Sequence, residues 1–334
     1  MKDSTGVVNS VTVVFATYNG ENTLPTMLES LCRINHPGCA WDVIAVDNAS
    51  TDKTHDILMS YATKLPLRVL EESRRGKNFA LNSALVEVSS DLVVFTDDDV
   101  DVDPSWLAQL VAAAKANPGH DIFGGRILPK WPEPPPVWLF ESVPVRIVYA
   151  ITAEDLEEGP VHPGRVWGPN MAIRRRIFER GHKFDESVGP SAGNYRMGSE
   201  TEFTARLANI GHKAWHVRSA IVQHIIRKNQ LCSRWIAKRG YRFGRDMFWK
   251  ENSVKLKIES NGRDHSTPRI FGLPRWYYGN YVRYALASIL LRYSGNPSKK
   301  LNANWNFQYW RGYFREAWAT GFLFAFRGRE RFDQ

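Results

Sequence analysis

Through the first 120 residues, short apolar runs alternate with stretches whose apolar residues recur at helical spacing. Residues 11–17 (VTVVFAT) have the β-branched, aromatic make-up of a strand and end in the turn signal Tyr18-Asn19-Gly20. Leu24, Leu28 and Leu31 then mark one face of a helix. The unit repeats. Residues 41–48 (WDVIAVDN) predict a second strand, and Ser50, Thr51 and Asp52 supply cap-type oxygens for a helix through Ile57, Leu58 and Tyr61. A third strand is expected at 67–72, followed by Arg74-Arg75-Gly76-Lys77 and a helix carrying Phe79, Ala80, Ala84 and Val88. Residues 91–103 (DLVVFTDDDVDVD) then read as a buried strand that empties into five acidic residues within seven positions. Asp103-Pro104 looks like an N-cap with proline at the first position of a helix through Ala116. Strands alternating with helices predict a parallel, doubly wound sheet over residues 8–125.

The periodicity breaks at 129–136 (PKWPEPPP), which can hold neither a helix nor a central strand and marks a boundary or a long surface loop. Beyond it, 165–173 (RVWGPNMAI) is a Gly-Pro turn into a short apolar run. Gly198-Ser199-Glu200-Thr201-Glu202 opens a helix through Leu207, and 213–224 contains two short strands ending at His224. From Cys232 onward the chain is rich in Arg, Trp and Tyr and helical by pattern. Three regions are therefore expected, at 1–128, 129–228 and 229–334.

Composition adds that 334 residues at 43% apolar can bury a large core, which excludes a disordered chain. The net charge of +9 is unevenly spread: residues 1–120 hold 9 Lys+Arg against 16 Asp+Glu, and the remainder 35 against 19. An acidic half bearing a cation-type cluster and a basic half suit a phosphate-bearing substrate. Cys32, Cys39 and Cys232 are odd in number and lack metal-type or redox-type pairing, which points to a reducing compartment. No signal-type N-terminus and no window approaching the roughly 20 apolar residues of a membrane span is present. The expectation is a cytoplasmic protein that is not integral to a membrane.

At a strand end Asp97 and Asp99 alternate onto one face, with Asp98 opposite. Two carboxylates so placed suit Mn²⁺ or Mg²⁺, which take oxygen ligands and leave room for substrate phosphates. A solvated acidic loop is the plain alternative, and it is retained for Asp101 and for Asp103 as a cap. Asp47 ends the second strand at the same edge, where it can accept from a base N–H or a ribose hydroxyl. Arg75 and Lys77, ahead of a helix N-terminus, can meet phosphate oxygens or form a solvated basic turn. Glu200 and Glu202 stand about 200° apart on a helix, so one of them faces a given cleft. Ser199 and Glu202 have capping-box spacing, which leaves Glu200 as the candidate general base.

TYNG at 17–20, VDNASTD at 46–52, GKNFALNSAL at 76–85, FTDDD at 95–99 and GPNMAI at 168–173 together resemble glycosyltransferase family 2, in order and in spacing. The resemblance implies a GT-A fold: a Rossmann-like, mostly parallel sheet with helices on both faces, here with a mainly helical, basic C-terminal extension. Residues 1–128 would be the nucleotide-sugar-binding half, 129–228 the acceptor-binding and catalytic half. It implies sugar transfer with inversion from a nucleotide donor, a UDP-sugar by expectation, to a saccharide or glycolipid acceptor in polysaccharide or cell-envelope glycan synthesis. Thr17 and Asp47 would then sit on the nucleotide base and Lys77 near the donor phosphates, with Asp97 and Asp99 on ribose and metal and Tyr18, Asn19, Asn82 and Asp98 also among the donor-binding residues. Asn170 would line the sugar and acceptor cleft. Asp97, Asp99 and His224 would hold the metal. Many family members have Glu-Asp where this chain has Ser199-Glu200, so the base is Glu200 or Glu202.

In the basic tail, Val282, Leu286, Ile289, Leu290 and Tyr293 fall within an arc of about 100° on a helical wheel, edged by Arg283 and Arg292. Such a stripe fits a helix packed on the catalytic domain or one lying in an anionic membrane interface at the inner face of the plasma membrane. Two other functions compete. A nucleotidyltransferase shares the acidic pair but needs a basic phosphate loop where Tyr18-Asn19-Gly20 stands. A basic membrane- or nucleic-acid-binding module leaves the acidic edge unexplained, and no nucleic-acid partner is expected.

Overall fold

The computed structural model describes residues 7–190, 197–258 and 268–321. In chain order the elements are β1 (Ser10–Thr17), α1 (Leu24–Cys32), β2 (Ala40–Asp47), α2 (Thr54–Tyr61), β3 (Leu67–Glu71), α3 (Lys77–Glu87), β4 (Leu92–Phe95), β5 (Val100–Val102), α4 (Trp106–Ala116) and β6 (Ile122–Lys130). Next come α5 (Val137–Ser142), α6 (Val145–Tyr149), β7 (Gly159–Val161), β8 (Met171–Arg174), α7 (Arg176–Glu179), α8 (Ser199–Asn209) and β9 (Ala214–Ile225). Three long helices follow: α9 (Ser233–Ile258), α10 (Arg275–Leu290) and α11 (Pro297–Ala319). Residues 322–334 of the expected C-terminal region lie outside the described residues. The chain divides into two compact units, Met1–Pro132 with Tyr149–Ile226, and Glu133–Val148 with Arg227–Gln334.

The first unit is built on one sheet in the order β3-β2-β1-β4-β8-β6-β9-β5, with β7 paired to β9. β1 to β4 are mutually parallel, as the alternating pattern predicts, and β8 runs antiparallel between β4 and β6. Their apolar runs are continuous because both faces are covered. Val11, Val13 and Phe15 of β1 join Leu24, Leu28 and Trp106 on one face, while Val14 joins Ala80, Leu81 and Phe203 on the other.

Three local expectations change. β4 ends at Phe95, so Asp97–Asp99 lie in a turn rather than on an extended strand, and strand alternation does not govern where they point. Helix α4 starts at Trp106, two residues later than a proline at its first position would have it. Asp103 caps the turn before it, accepting from the Ser105 amide and hydroxyl at 2.8 and 2.6 Å. The two short strands expected at 213–224 are one strand, β9, whose pairing with β6 slips between Gly125 and Arg126.

The second unit contains α5, α9, α10 and α11. Gly244 of α9 and Gly312 of α11 let the two helices touch through backbone: a Cβ at Gly244 would run into the Tyr309 carbonyl, and one at Gly312 into that of Tyr241. The Nε of buried Arg245 donates to Glu316 at 2.5 Å across the same pair. No described helix is long and apolar enough to cross a membrane.

Candidate active site

The carboxyl ends of β1, β2 and β4 meet at one edge of the sheet, the place where open α/β sheets bind ligands. The Thr17 hydroxyl, closing β1, donates to Asp98 at 2.5 Å. Asn19 and Ala49 both take left-handed backbone conformations, with φ of 51° and 59°. Their loops are laced together: the Asn19 amide donates to Ser50 Oγ at 3.0 Å, and the Thr51 amide to Asn19 Oδ1 at 2.9 Å. For Ala49 that conformation costs roughly 1–2 kcal/mol, strain of the kind that concentrates at binding loops. Asp47 is buried at the end of β2 and accepts from the Ser50 amide at 3.0 Å. Tyr18 is exposed, and the Arg75 guanidinium lies 5.2 Å from its ring centre.

Lys77, at the start of α3, reaches between two carboxylates. Its ammonium donates to Asp97 at 2.5 Å and also to Glu200, at the start of α8. The backbone N–H of Lys77 is not open to a phosphate, because it donates to the Pro190 carbonyl at 3.1 Å. On the other side of the acidic turn, β5 pairs antiparallel with β9 so that Val100 stands opposite His224. That register brings His224 Nε2 to 3.5 Å from Asp99, while its Nδ1 meets the Tyr149 carbonyl at 2.6 Å.

The electrostatics follow from crowding. Burial and the neighbouring Asp99 charge push the Asp98 carboxyl up to about 7, against the pull of the Thr17 hydrogen bond. Burial, together with Glu200 and Asp99, also raises Asp97 even though Lys77 opposes it. Burial would raise Glu200 too, but the charge and hydrogen bond of Lys77 outweigh it and hold Glu200 below the usual carboxylate range. Burial alone would lower the Lys77 ammonium, yet Asp97 and Glu200 raise it further. For His224, burial is overcome by Asp99, and its pKa rises. The repulsion among these crowded carboxylates, which raises Asp97 and Asp98, is what a divalent cation bound beside them would relieve. Among the described residues no three His, Cys, Asp or Glu side chains form a ready cage. Mn²⁺ or Mg²⁺ needs none when one or two carboxylates are completed by water and phosphate oxygens.

Several expected residues sit elsewhere. Asn170 is fully buried, donates to the Arg126 and Ala220 carbonyls at 3.0 and 2.9 Å, and accepts from Trp106 Nε1 at 2.9 Å, so its carboxamide is engaged in holding the fold. It fills the gap left where the β6–β9 ladder slips. Asn82 is engaged with backbone, bonding both the amide and the carbonyl of Phe184. Glu202 pairs with Arg206 at 2.6 Å, and the anticipated capping box is absent. The N-cap position of α8 is Gly198, with φ of 86°, and Ser199 Oγ donates to Glu200 at 2.7 Å.

Residues unassigned from sequence also matter. Asn48 donates to the Glu72 and Arg74 carbonyls and accepts from the Gly76 amide, so it shapes the loop that delivers Lys77. Asn78 holds the carbonyls of Asp185 and Val188. At Gly168 a Cβ would collide with the Glu200 carboxylate. Asn48, Asn78 and Gly168 all fall inside the sequence motifs, which flagged the stretches without separating ligand-facing from backbone-holding side chains.

A family model described as glycosyl transferase family 2 matches residues 12–181. Among curated relatives, the poly(ribitol-phosphate) beta-N-acetylglucosaminyltransferase TarS of Staphylococcus aureus is 36% identical over 89 residues, a match covering 26% of this chain and 16% of that protein. Glycosyltransferase AglE of Haloferax volcanii is 21% identical over 276 residues, 81% of each chain. Among solved structures, the mannosyltransferase PcManGT of Pyrobaculum calidifontis, in complex with GDP-Man and Mn²⁺, superposes with a TM-score of 0.57 at 19% identity, covering 91% of this chain and 86% of that one. S. aureus TarS 1-349 gives 0.52 at 18% identity, covering 93% and 92%. The expected GT-A architecture is the one these structures share. The matched residues 12–181 span β1 to β4 and the acidic turn and make up just over half of the sequence, and the chain belongs to glycosyl transferase family 2.

Proposed function

We propose that the chain transfers a sugar, with inversion, from a nucleoside-diphosphate sugar, by our reading a UDP-sugar, to a hydroxyl of a saccharide or glycolipid acceptor in cell-envelope glycan synthesis. The observation that carries this is the junction in which Lys77 joins Asp97 to Glu200 at the carboxyl edge of the sheet. In this proposal Thr17, Tyr18, Asn19 and Asp47 receive the nucleotide, with Asp98 steadied by Thr17. Asp97 and Asp99, with His224 beside Asp99, would hold Mn²⁺ or Mg²⁺; when bound, the ion neutralises charge on the departing diphosphate. Glu200 is ionised at neutral pH and accepts the proton of the acceptor hydroxyl. That oxygen bonds the anomeric carbon as the bond to the diphosphate breaks. Lys77 orients Glu200 and offers its positive charge to the phosphates.

The test is thermal-shift screening of nucleoside-diphosphate sugars with and without Mn²⁺, followed by transfer assays with the stabilising donor. Glu200→Gln should keep donor binding and lose about 10²–10⁴ in turnover. Asp99→Asn should lose the metal-dependent part of donor binding. If no such donor shifts the melting temperature under either condition, the proposal fails. Loss of turnover in Glu202→Gln but not in Glu200→Gln would move the base.

A further inference from the structure

Helix α10 presents its apolar stripe to solvent. Leu286, Ile289 and Leu290 are 55%, 65% and 77% exposed, Val282 and Trp276 are also exposed, and Tyr293 in the turn just past the helix is 89% exposed. The stripe is not needed to hold the helix in its unit. The other side of α10 does that: Tyr277 packs on Trp310 and Tyr313, and Tyr278 and Tyr281 on Phe314. Residues 268–300 contain six Lys+Arg and no Asp or Glu. Arg275, Arg283, Arg292, Lys299 and Lys300 are exposed, and neither Arg283 nor Arg292 has a carboxylate partner among the described residues. Exposed large apolar side chains in one contiguous stripe mark an interaction surface, and the flanking charge says what kind.

We propose that α10 lies in an anionic lipid surface. Its stripe would enter the boundary between headgroups and acyl chains to about 5–10 Å, with the arginines at its edges meeting lipid phosphates. From Val282 to Leu290 the stripe runs about 12 Å along the axis of α10, and Trp276 at the start of the helix and Tyr293 just past its end have the amphipathic rings favoured at membrane interfaces. A second copy of the chain fits this face poorly: an isologous contact would press Arg283 and Arg292 of each copy towards those of the other, and residues 268–300 hold no carboxylate to answer them. The same charges complement a negatively charged leaflet, where each cation near the surface strengthens binding about fivefold.

Co-sedimentation of the full chain with phosphatidylcholine vesicles, and with vesicles that also contain phosphatidylglycerol, tests this. The protein should pellet with the phosphatidylglycerol vesicles at low salt and be released by high salt. The double variant Ile289→Gln/Leu290→Gln should abolish binding, and Arg283→Gln/Arg292→Gln should weaken it about 25-fold, with far-UV circular dichroism unchanged in both. Wild-type protein that stays in the supernatant with phosphatidylglycerol vesicles overturns the proposal. Undiminished binding by the Ile289→Gln/Leu290→Gln variant also overturns it, because the lipid contact would then lie elsewhere on the basic half. Light scattering that shows a dimer dissolved by that variant overturns it too, since another copy would cover the stripe.

Discussion

At the scale of single residues, an asparagine or glycine inside a motif looks the same whether it faces a ligand or holds the backbone. Asn170 shows the difference. Removing its carboxamide strands the Trp106 N–H and the Arg126 and Ala220 carbonyls in the core. Asn170→Ala should therefore cost about 3–5 kcal/mol in denaturant unfolding and leave nucleotide affinity of the folded protein unchanged. A fall in affinity at unchanged stability would return Asn170 to the cleft. Gly168 makes the opposite case. Gly168→Ala should push the Glu200 carboxylate aside and lower turnover about 100-fold, with donor binding retained in calorimetry. The acidic cluster was legible because five carboxylates after a buried strand have few structural uses. The contact between Asp98 and Thr17 was not, because it depends on β4 stopping at Phe95 and the triplet turning back towards β1.

At the scale of elements, the period-2 and period-3.6 patterns located β1 to β4 and the helices between them, since each of these buries a face and the burial is written in the spacing. The failures lie where tertiary contacts decide. The slip in β9 needs Asn170 to fill it, from a different segment of the chain, and no periodicity within 213–224 records that. The Ser199–Glu202 spacing at the start of α8 predicts a capping box, but Glu202 is drawn to Arg206 one turn on and Ser199 to Glu200. The α9–α11 crossing was equally hidden: Gly240 and Gly244 are four residues apart on one helix face, and their partners lie more than sixty residues away, at Trp305 and Tyr309. Gly244→Ala should force the two backbones apart and cost about 1–3 kcal/mol or more in thermal unfolding, because the atom it meets is a carbonyl that cannot rotate away. A stability equal to wild type would mean that the helices do not pack through this glycine.

At the scale of the whole molecule, the uneven charge visible in the sequence corresponds to two kinds of stabilisation. The first unit rests on a sheet buried on both faces, whereas the helical unit depends in part on one buried ion pair that sequence could not reveal, because Arg245 and Glu316 are 71 positions apart. Burial pushes the Glu316 carboxyl up, but hydrogen bonds from Trp249, Arg245 and Arg315 outweigh it and hold its pKa below the ordinary 4.5. A carboxyl depressed in the folded state stabilises it fully above the unfolded pKa, and that contribution fades as pH falls through the folded pKa. The helical unit should therefore lose stability as the pH drops below about 4.5. Glu316→Gln should lose that acid sensitivity while costing about 3–5 kcal/mol at neutral pH, because the buried guanidinium of Arg245 loses the charge of the carboxylate it donates to. Replacing both, as Arg245→Met/Glu316→Leu, should restore most of the neutral-pH stability, since two apolar side chains of similar volume remove the desolvation cost of both buried charges along with their attraction. Thermal unfolding of the three proteins at pH 7 and pH 4, followed by circular dichroism, separates these outcomes. If Glu316→Gln and wild type lose stability equally between the two pH values, the acid response belongs to other carboxylates and the ion pair does not set it.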